Sequence, residues 1–154
     1  MHPEDMTLQE LGQLGERYAL RQLVDRGFHA TATRPNAREI DIVVQDTHGN
    51  PLCDVQVKAR CRYRNWTLNR MHETIIRPRL FYCLVRFGLT DADDVTCWIV
   101  PNKVVADCVR ETHQAYLAES PETRRDTNRR HVREDYSNRA RGLERSSPAR
   151  SAAG

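Results

Sequence analysis

The chain has 154 residues, of which 29% are charged and 39% hydrophobic, with a net charge of +3 and five cysteines. That length supports one domain with a core of its own, and cysteines that are odd in number and lack a Cys-x-x-Cys pair argue against a disulfide framework or a zinc site. No apolar run reaches membrane-spanning length and Glu4 and Asp5 stand where a secretory leader would be basic, so the expectation is a cytoplasmic protein with reduced thiols and no membrane contact.

Thr7-Leu8-Gln9-Glu10 reads as a capping box, and the helix it opens should run to about Arg26 before Gly27 ends it. Leu8, Leu11, Gly15, Tyr18, Ala19 and Leu23 share one side of that helix, and Gly12 and Gly15 would let it approach a sheet. Phe28 to Thr33 alternates as a first strand. Glu39 to Gln45 is a second, and Leu52 to Arg60 follows as a third after the turn Asp46 to Pro51. Between Cys61 and Arg79 the pattern is weak, with a short helix over 69–76. Leu80 to Phe87 and Val95 to Val100 are further strands, separated by an acidic loop. A final helix should cover Lys103 to about Ala118, with Val104, Val105, Cys108, Val109 and Tyr116 as its apolar stripe.

The charge is uneven. From Pro121 onward nine arginines face five acids, a surplus of four that leaves residues 1–120 at −1. With almost nothing apolar to bury, residues 121–154 read as an arginine-rich flexible tail beside a domain over 1–120, able to add sequence-independent affinity for a phosphate backbone.

Successive strand side chains alternate between faces, so Val55, Val57 and Ala59 can enter a core while Asp54, Gln56, Lys58 and Arg60 line the other side. Asp41 lies among Ile40, Ile42, Val43 and Val44, and an acid in so apolar a strand needs a cation, a divalent ion or several hydrogen bonds. Arg34, Arg38, Arg60, Arg62, Arg64, Arg77 and Arg79, interleaved with Tyr63 and Trp66, suit phosphates and base faces, although a solvated basic loop explains them equally well. His29, His72 and His113 have no catalytic partner at useful spacing and read as structural or exposed; Trp98 and Phe81 read as core.

Glu16 on the first helix, Asp41 on the second strand and Gln56-x-Lys58 on the third resemble the motif of the PD-(D/E)XK nuclease superfamily, in particular its Holliday-junction-resolvase and intron-associated endonuclease branch. The resemblance covers about residues 8–110. It implies an α/β, restriction-endonuclease-like αβββ(α)βα core with a mixed central sheet flanked by helices. It further implies a Mg2+-dependent DNA endonuclease, with Mn2+ as substitute, acting as a homodimer on DNA rather than on a small molecule. In that pattern Asp41, Gln56, the carbonyl of Val57 and Glu16 hold the metal, and Lys58 supports the attacking hydroxide and the phosphate charge. Two positions depart from the pattern. Gln56 stands where most members have an acid, so it brings an oxygen without charge, which Asp54 or Glu39 could restore. Ile40 stands where the family name has Pro. A catalytically silent nucleic-acid-binding module, or an accessory subunit of a defence or repair complex, is the alternative.

Overall fold

The computed structural model describes residues 2–34, 40–61, 65–88 and 94–132. After a 3₁₀ turn at Pro3–Asp5, the chain forms α1 (Leu8–Asp25), β1 (His29–Ala32), β2 (Ile42–Gln45), β3 (Pro51–Cys61) and β4 (Trp66–Asn69). A second 3₁₀ turn (Arg70–Glu73) leads to β5 (Leu80–Phe87), β6 (Val95–Pro101), α2 (Asn102–Glu119) and β7 (Arg129–Val132).

Helix α1 starts where its capping box directs. The Glu10 amide donates to the Thr7 hydroxyl at 3.2 Å and the Thr7 amide donates to the Glu10 carboxylate at 2.8 Å, so two of the orphan donors at the helix start are satisfied. Gly27, at φ +89°, turns the chain out of the helix in a conformation that side chains resist.

Five strands form one sheet in the order β1-β2-β3-β5-β6. β3 and β5 run parallel and every other neighbouring pair is antiparallel, so the sheet is mixed. Helices flank it. The odd-numbered residues of β3, Cys53, Val55, Val57, Ala59 and Cys61, pack under α1 with Leu11, Ala19, Ile42 and Val44. On the other face Tyr82, Leu84, Trp98 and Val100 meet Val105, Cys108 and Val109 of α2. This is the mixed α/β architecture expected of a restriction-endonuclease-like core.

Gly15 decides how close α1 comes. A Cβ built there would lie 2.6 Å from the Ala59 Cβ on β3, closer than real carbons approach, whereas Gly12 has open space. The contact seats α1 directly on β3, so Glu16, the next residue, is carried to the middle of the sheet.

The structure departs from the sequence reading in several places. Trp66–Asn69 is a strand, and only Arg70–Glu73 of the expected helix over 69–76 forms, as a 3₁₀ turn. The strand finds its partner 60 to 66 residues later: Leu68 pairs with Arg130 and Trp66 with Val132 in an antiparallel two-stranded sheet. The stretch expected to be tail from 121 onward therefore contributes β7, and Val132 joins the α2-side core. Arg130 is buried there, ion-paired to Glu73 and to Asp126, and it donates to the carbonyls of Thr127 at 2.6 Å and Arg129 at 2.9 Å. The last described strand thus begins nine residues beyond a boundary at 120. Leu8 and Tyr116, expected in apolar stripes, are 88% and 44% exposed. Among the described residues, no helix is long and apolar enough to cross a membrane.

The two helical glycines should respond oppositely to alanine. At Gly12 the added methyl meets nothing, so Gly12→Ala should raise stability by about 0.5–1 kcal/mol through helix propensity. At Gly15 the same gain is outweighed by overpacking of about 1–3 kcal/mol, so Gly15→Ala should lower the urea midpoint at unchanged m-value. Equal midpoints for the two variants would contradict the close approach.

Candidate active site at the end of the β2–β3 ladder

The β2–β3 ladder pairs Ile42 with Val55 and ends there, so the edge of β3 beyond Val55 loses its strand partner. Asp41 completes it. Its amide donates to the Val55 carbonyl at 2.9 Å, and its Oδ2 accepts the Val57 amide at 2.7 Å. One residue thereby finishes the backbone pairing and leaves a half-buried carboxylate where the two strands part. The Val57 carbonyl lies on the same edge of the strand as its amide.

Three charges converge on this point. Burial lifts the Asp41 carboxyl above its ordinary pKa, while the Val57 amide and Lys58 pull it back. Burial depresses the Lys58 ammonium, and Asp41 and Glu16 oppose that fall. Glu16 is lifted by desolvation and then by Asp41, with Lys58 acting against both. Glu16 and Lys58 therefore each feel the other two groups and Asp41 feels Lys58, as expected where titratable side chains crowd together. The sequence assignments of Glu16, Asp41 and Lys58 fall in one place.

Gln56 adds an oxygen with unspent capacity. Its side chain is 7% exposed, and its Oε1 has no hydrogen-bond partner among the described residues. A buried acceptor left in that state costs about 1–3 kcal/mol unless something outside the chain satisfies it. Among the described residues, no three His, Cys, Asp or Glu side chains gather as a metal site, so a cation here would rest on two carboxylates, the Gln56 amide oxygen and the Val57 carbonyl. These are hard oxygen donors of the kind Mg2+ accepts, and the orphaned Gln56 Oε1 is the one that calls for such a partner.

Sequence reasoning missed the group behind Lys58. Tyr82 lies beside Gln56 on the neighbouring parallel strand, and its hydroxyl sits 2.5 Å from the buried His72 Nδ1. Burial, followed by the charge of Lys58, lowers the His72 pKa to about 4, so the ring is neutral under ordinary conditions. The signal was faint because His72 lies in a weakly patterned stretch, and only the chain's return through β5 brings Tyr82 to it.

The expected nucleic-acid contacts divide. Arg34, Arg77 and Arg79 are exposed, whereas Arg38, Arg62 and Arg64, together with Tyr63 and Glu39, fall outside the described residues. Arg60 and Trp66 are corrections. Trp66 is 1% exposed, packs edge-on to Trp98 at 5.4 Å and donates its indole N–H to the Val85 carbonyl at 3.0 Å. Arg60 is also buried, its guanidinium 3.8 Å above the Trp66 ring. A base cannot reach a ring closed on both sides, so these two hold the core together through a desolvated cation–π contact.

Comparison with protein-family models and with curated proteins yields no match. Comparison with solved structures returns a bacterial homing endonuclease at 15% identity and a TM-score of 0.47, covering 84% of this chain and 80% of that one. A likeness at that level carries no conclusion about what this chain does.

His72 makes the stability depend on pH in a definite window. Between its ordinary value of 6.5 and about 4, the unfolded chain takes up a proton that the folded ring refuses, so this contribution is complete above 6.5 and is lost as the pH falls toward 4. Asp41 and Glu16, both held up by burial, act in the opposite direction, so the difference between variant and wild type is the quantity to follow. His72→Gln should flatten the decline between pH 6.5 and 4, by at most about 1.4 kcal/mol per pH unit, in urea unfolding at closely spaced pH values. Parallel curves for the two proteins would show that the ring titrates normally.

Proposed function

We propose that the chain is a divalent-metal-dependent endonuclease that hydrolyses phosphodiester bonds in DNA at the end of the β2–β3 ladder. What carries the reading is the Asp41 carboxylate, fixed by the Val57 amide within the field of Lys58 and Glu16 and next to the unpartnered oxygen of Gln56. Asp41, Gln56, the Val57 carbonyl and Glu16 would hold the cation. When bound, Mg2+ or Mn2+ makes a water acidic enough to attack near neutral pH and relieves charge on the phosphate.

The remaining work falls to side chains of the chain itself. Asp41 has one oxygen committed to Val57, so its orientation is set before any substrate arrives, and little reorganisation is needed at the reaction. Lys58, a compact charge on a flexible stem, is held among acids and can turn toward the negative charge that grows on the phosphate. Two copies of the chain acting together would present two such sites, one for each strand.

A second reading, a nucleic-acid-binding module without cleavage, is favoured by the missing charge at Gln56, since an amide binds a hard cation more weakly than a carboxylate does. Nicking of supercoiled plasmid DNA in Mg2+ or Mn2+ separates the two. Asp41→Ala and Lys58→Ala should each lower nicking by at least about a hundredfold, the scale of a lost transition-state contact, while DNA affinity in chelator stays within about twofold. Gln56→Glu should lower the metal concentration for half-maximal rate, or create nicking where the wild type has none. Cutting at the wild-type rate by both alanine variants would remove the assignment.

A further inference from the structure

All five cysteines are present as thiols, and two of them touch. Cys83 on β5 and Cys97 on β6 have their sulfurs 2.8 Å apart. A disulfide bond is about 2.05 Å long, so the two atoms stand less than about 1 Å beyond bonding distance. The strands bring them there. In the β5–β6 ladder Cys83 pairs with Ile99 and Cys97 with Val85, which makes the two cysteines diagonal neighbours on one face of the sheet. That face is the one packed under α1, and both thiols are buried in its core with Val57, Val85 and Phe87. The other three cysteines are placed apart. Cys53 and Cys61 stand near opposite ends of β3, and Cys108 belongs to the core on the α2 side.

Each of the two thiols is the other's hydrogen-bond partner, and that bond together with burial pushes the Cys83 thiol well above its ordinary pKa. The thiolate is the nucleophile in disulfide exchange, so the closed fold reacts slowly. Bond formation therefore belongs to folding itself, or to moments when the edge of the sheet opens. β6 is that edge: it is the last strand of the sheet, and α2 follows directly from it at Asn102.

We propose that Cys83 and Cys97 are a redox pair that closes into a disulfide when the chain folds in the presence of a small-molecule disulfide such as oxidised glutathione. The bond locks the edge strand β6 to β5. One protein thiolate attacks oxidised glutathione, forming a mixed disulfide and releasing one glutathione thiolate. The thiolate of the second cysteine then attacks the protein sulfur of that mixed disulfide, and the second glutathione leaves. Two protein thiols are oxidised, one glutathione disulfide is reduced, and the two protons pass to the released glutathiones. Because the native ladder sets the partner sulfur in contact, the second step is intramolecular and outruns attack by another glutathione. Cys83 pairs with Val57 across the β3–β5 ladder, so the lock lies one strand from the candidate site, but its chemistry does not depend on cleavage at Asp41.

The test needs no nuclease activity, so the failure of either reading leaves the other standing. The full chain is unfolded in urea, refolded in glutathione buffers from fully reduced to fully oxidised, alkylated, digested and read by mass spectrometry. The oxidised samples should yield a cross-linked peptide joining Cys83 to Cys97, with Cys53, Cys61 and Cys108 outside any internal disulfide. Dithiothreitol should return the pair to thiols. The cross-link closes a loop with ends 14 positions apart, so the oxidised chain should melt about 5 °C or more above the reduced one. In Cys97→Ala the cross-linked peptide and the difference between oxidised and reduced midpoints should both vanish, with Cys83 left as a thiol or carrying a single glutathione. If the wild-type pair stays reduced in the most oxidising buffer, if either cysteine pairs elsewhere or ends with glutathione alone, or if the cross-linked chain melts no higher than the reduced one, the proposal is wrong.

Discussion

The structure turns on the central strand β3, whose polar row is drawn into the interior. With α1 packed on its odd-numbered face and Gln56 and Arg60 buried on the other, the strand has little solvent side on which to place polar residues. Yet every second residue from Asp54 to Arg60 is polar. Each must find a partner inside the fold, and the solutions differ. Arg60 lies on Trp66, Lys58 settles among Asp41 and Glu16, and the oxygen of Gln56 stays without a partner among the described residues. The last two lie where β2 departs, beyond the end of the β2–β3 ladder.

That arrangement makes the candidate site a place of stored electrostatic tension. Burial works against ionisation of Asp41 and of Lys58 alike; the Val57 amide and Lys58 oppose it at Asp41, and Asp41 and Glu16 oppose it at Lys58. A pair of this kind adds little to stability, since desolvation offsets much of the attraction. The neutral His72, bonded to the Tyr82 hydroxyl, lies within the field of Lys58 without adding charge of its own.

The β4–β7 pairing has a separate logic. It closes the α2 side of the core with Trp66 and Val132, and Arg130 ties the returning chain to Glu73 and Asp126. A buried guanidinium is tolerated because its donors are taken up by carboxylates and by two backbone carbonyls. The same return path packs β7 against α2, so an arginine-rich stretch with little apolar content still shapes the molecule.

Local signals in the sequence determined the elements that stand on their own. The capping box and Gly27 bounded α1, continuous β-branched and aromatic runs marked β5 and β6, and the alternation in β3 separated its core row from its polar row. Helix and strand spacing placed Glu16 on α1 and Lys58 in the polar row of β3, whereas their grouping with Asp41 came from the resemblance to a nuclease motif. Only the tertiary structure could pair Trp66 with Val132, bury Arg60 on an indole, join His72 to Tyr82 and draw part of the supposed tail into a sheet. Each of these depends on segments far apart in sequence, where neither periodicity nor composition carries the register, and the stabilisation appears only once both partners are desolvated together.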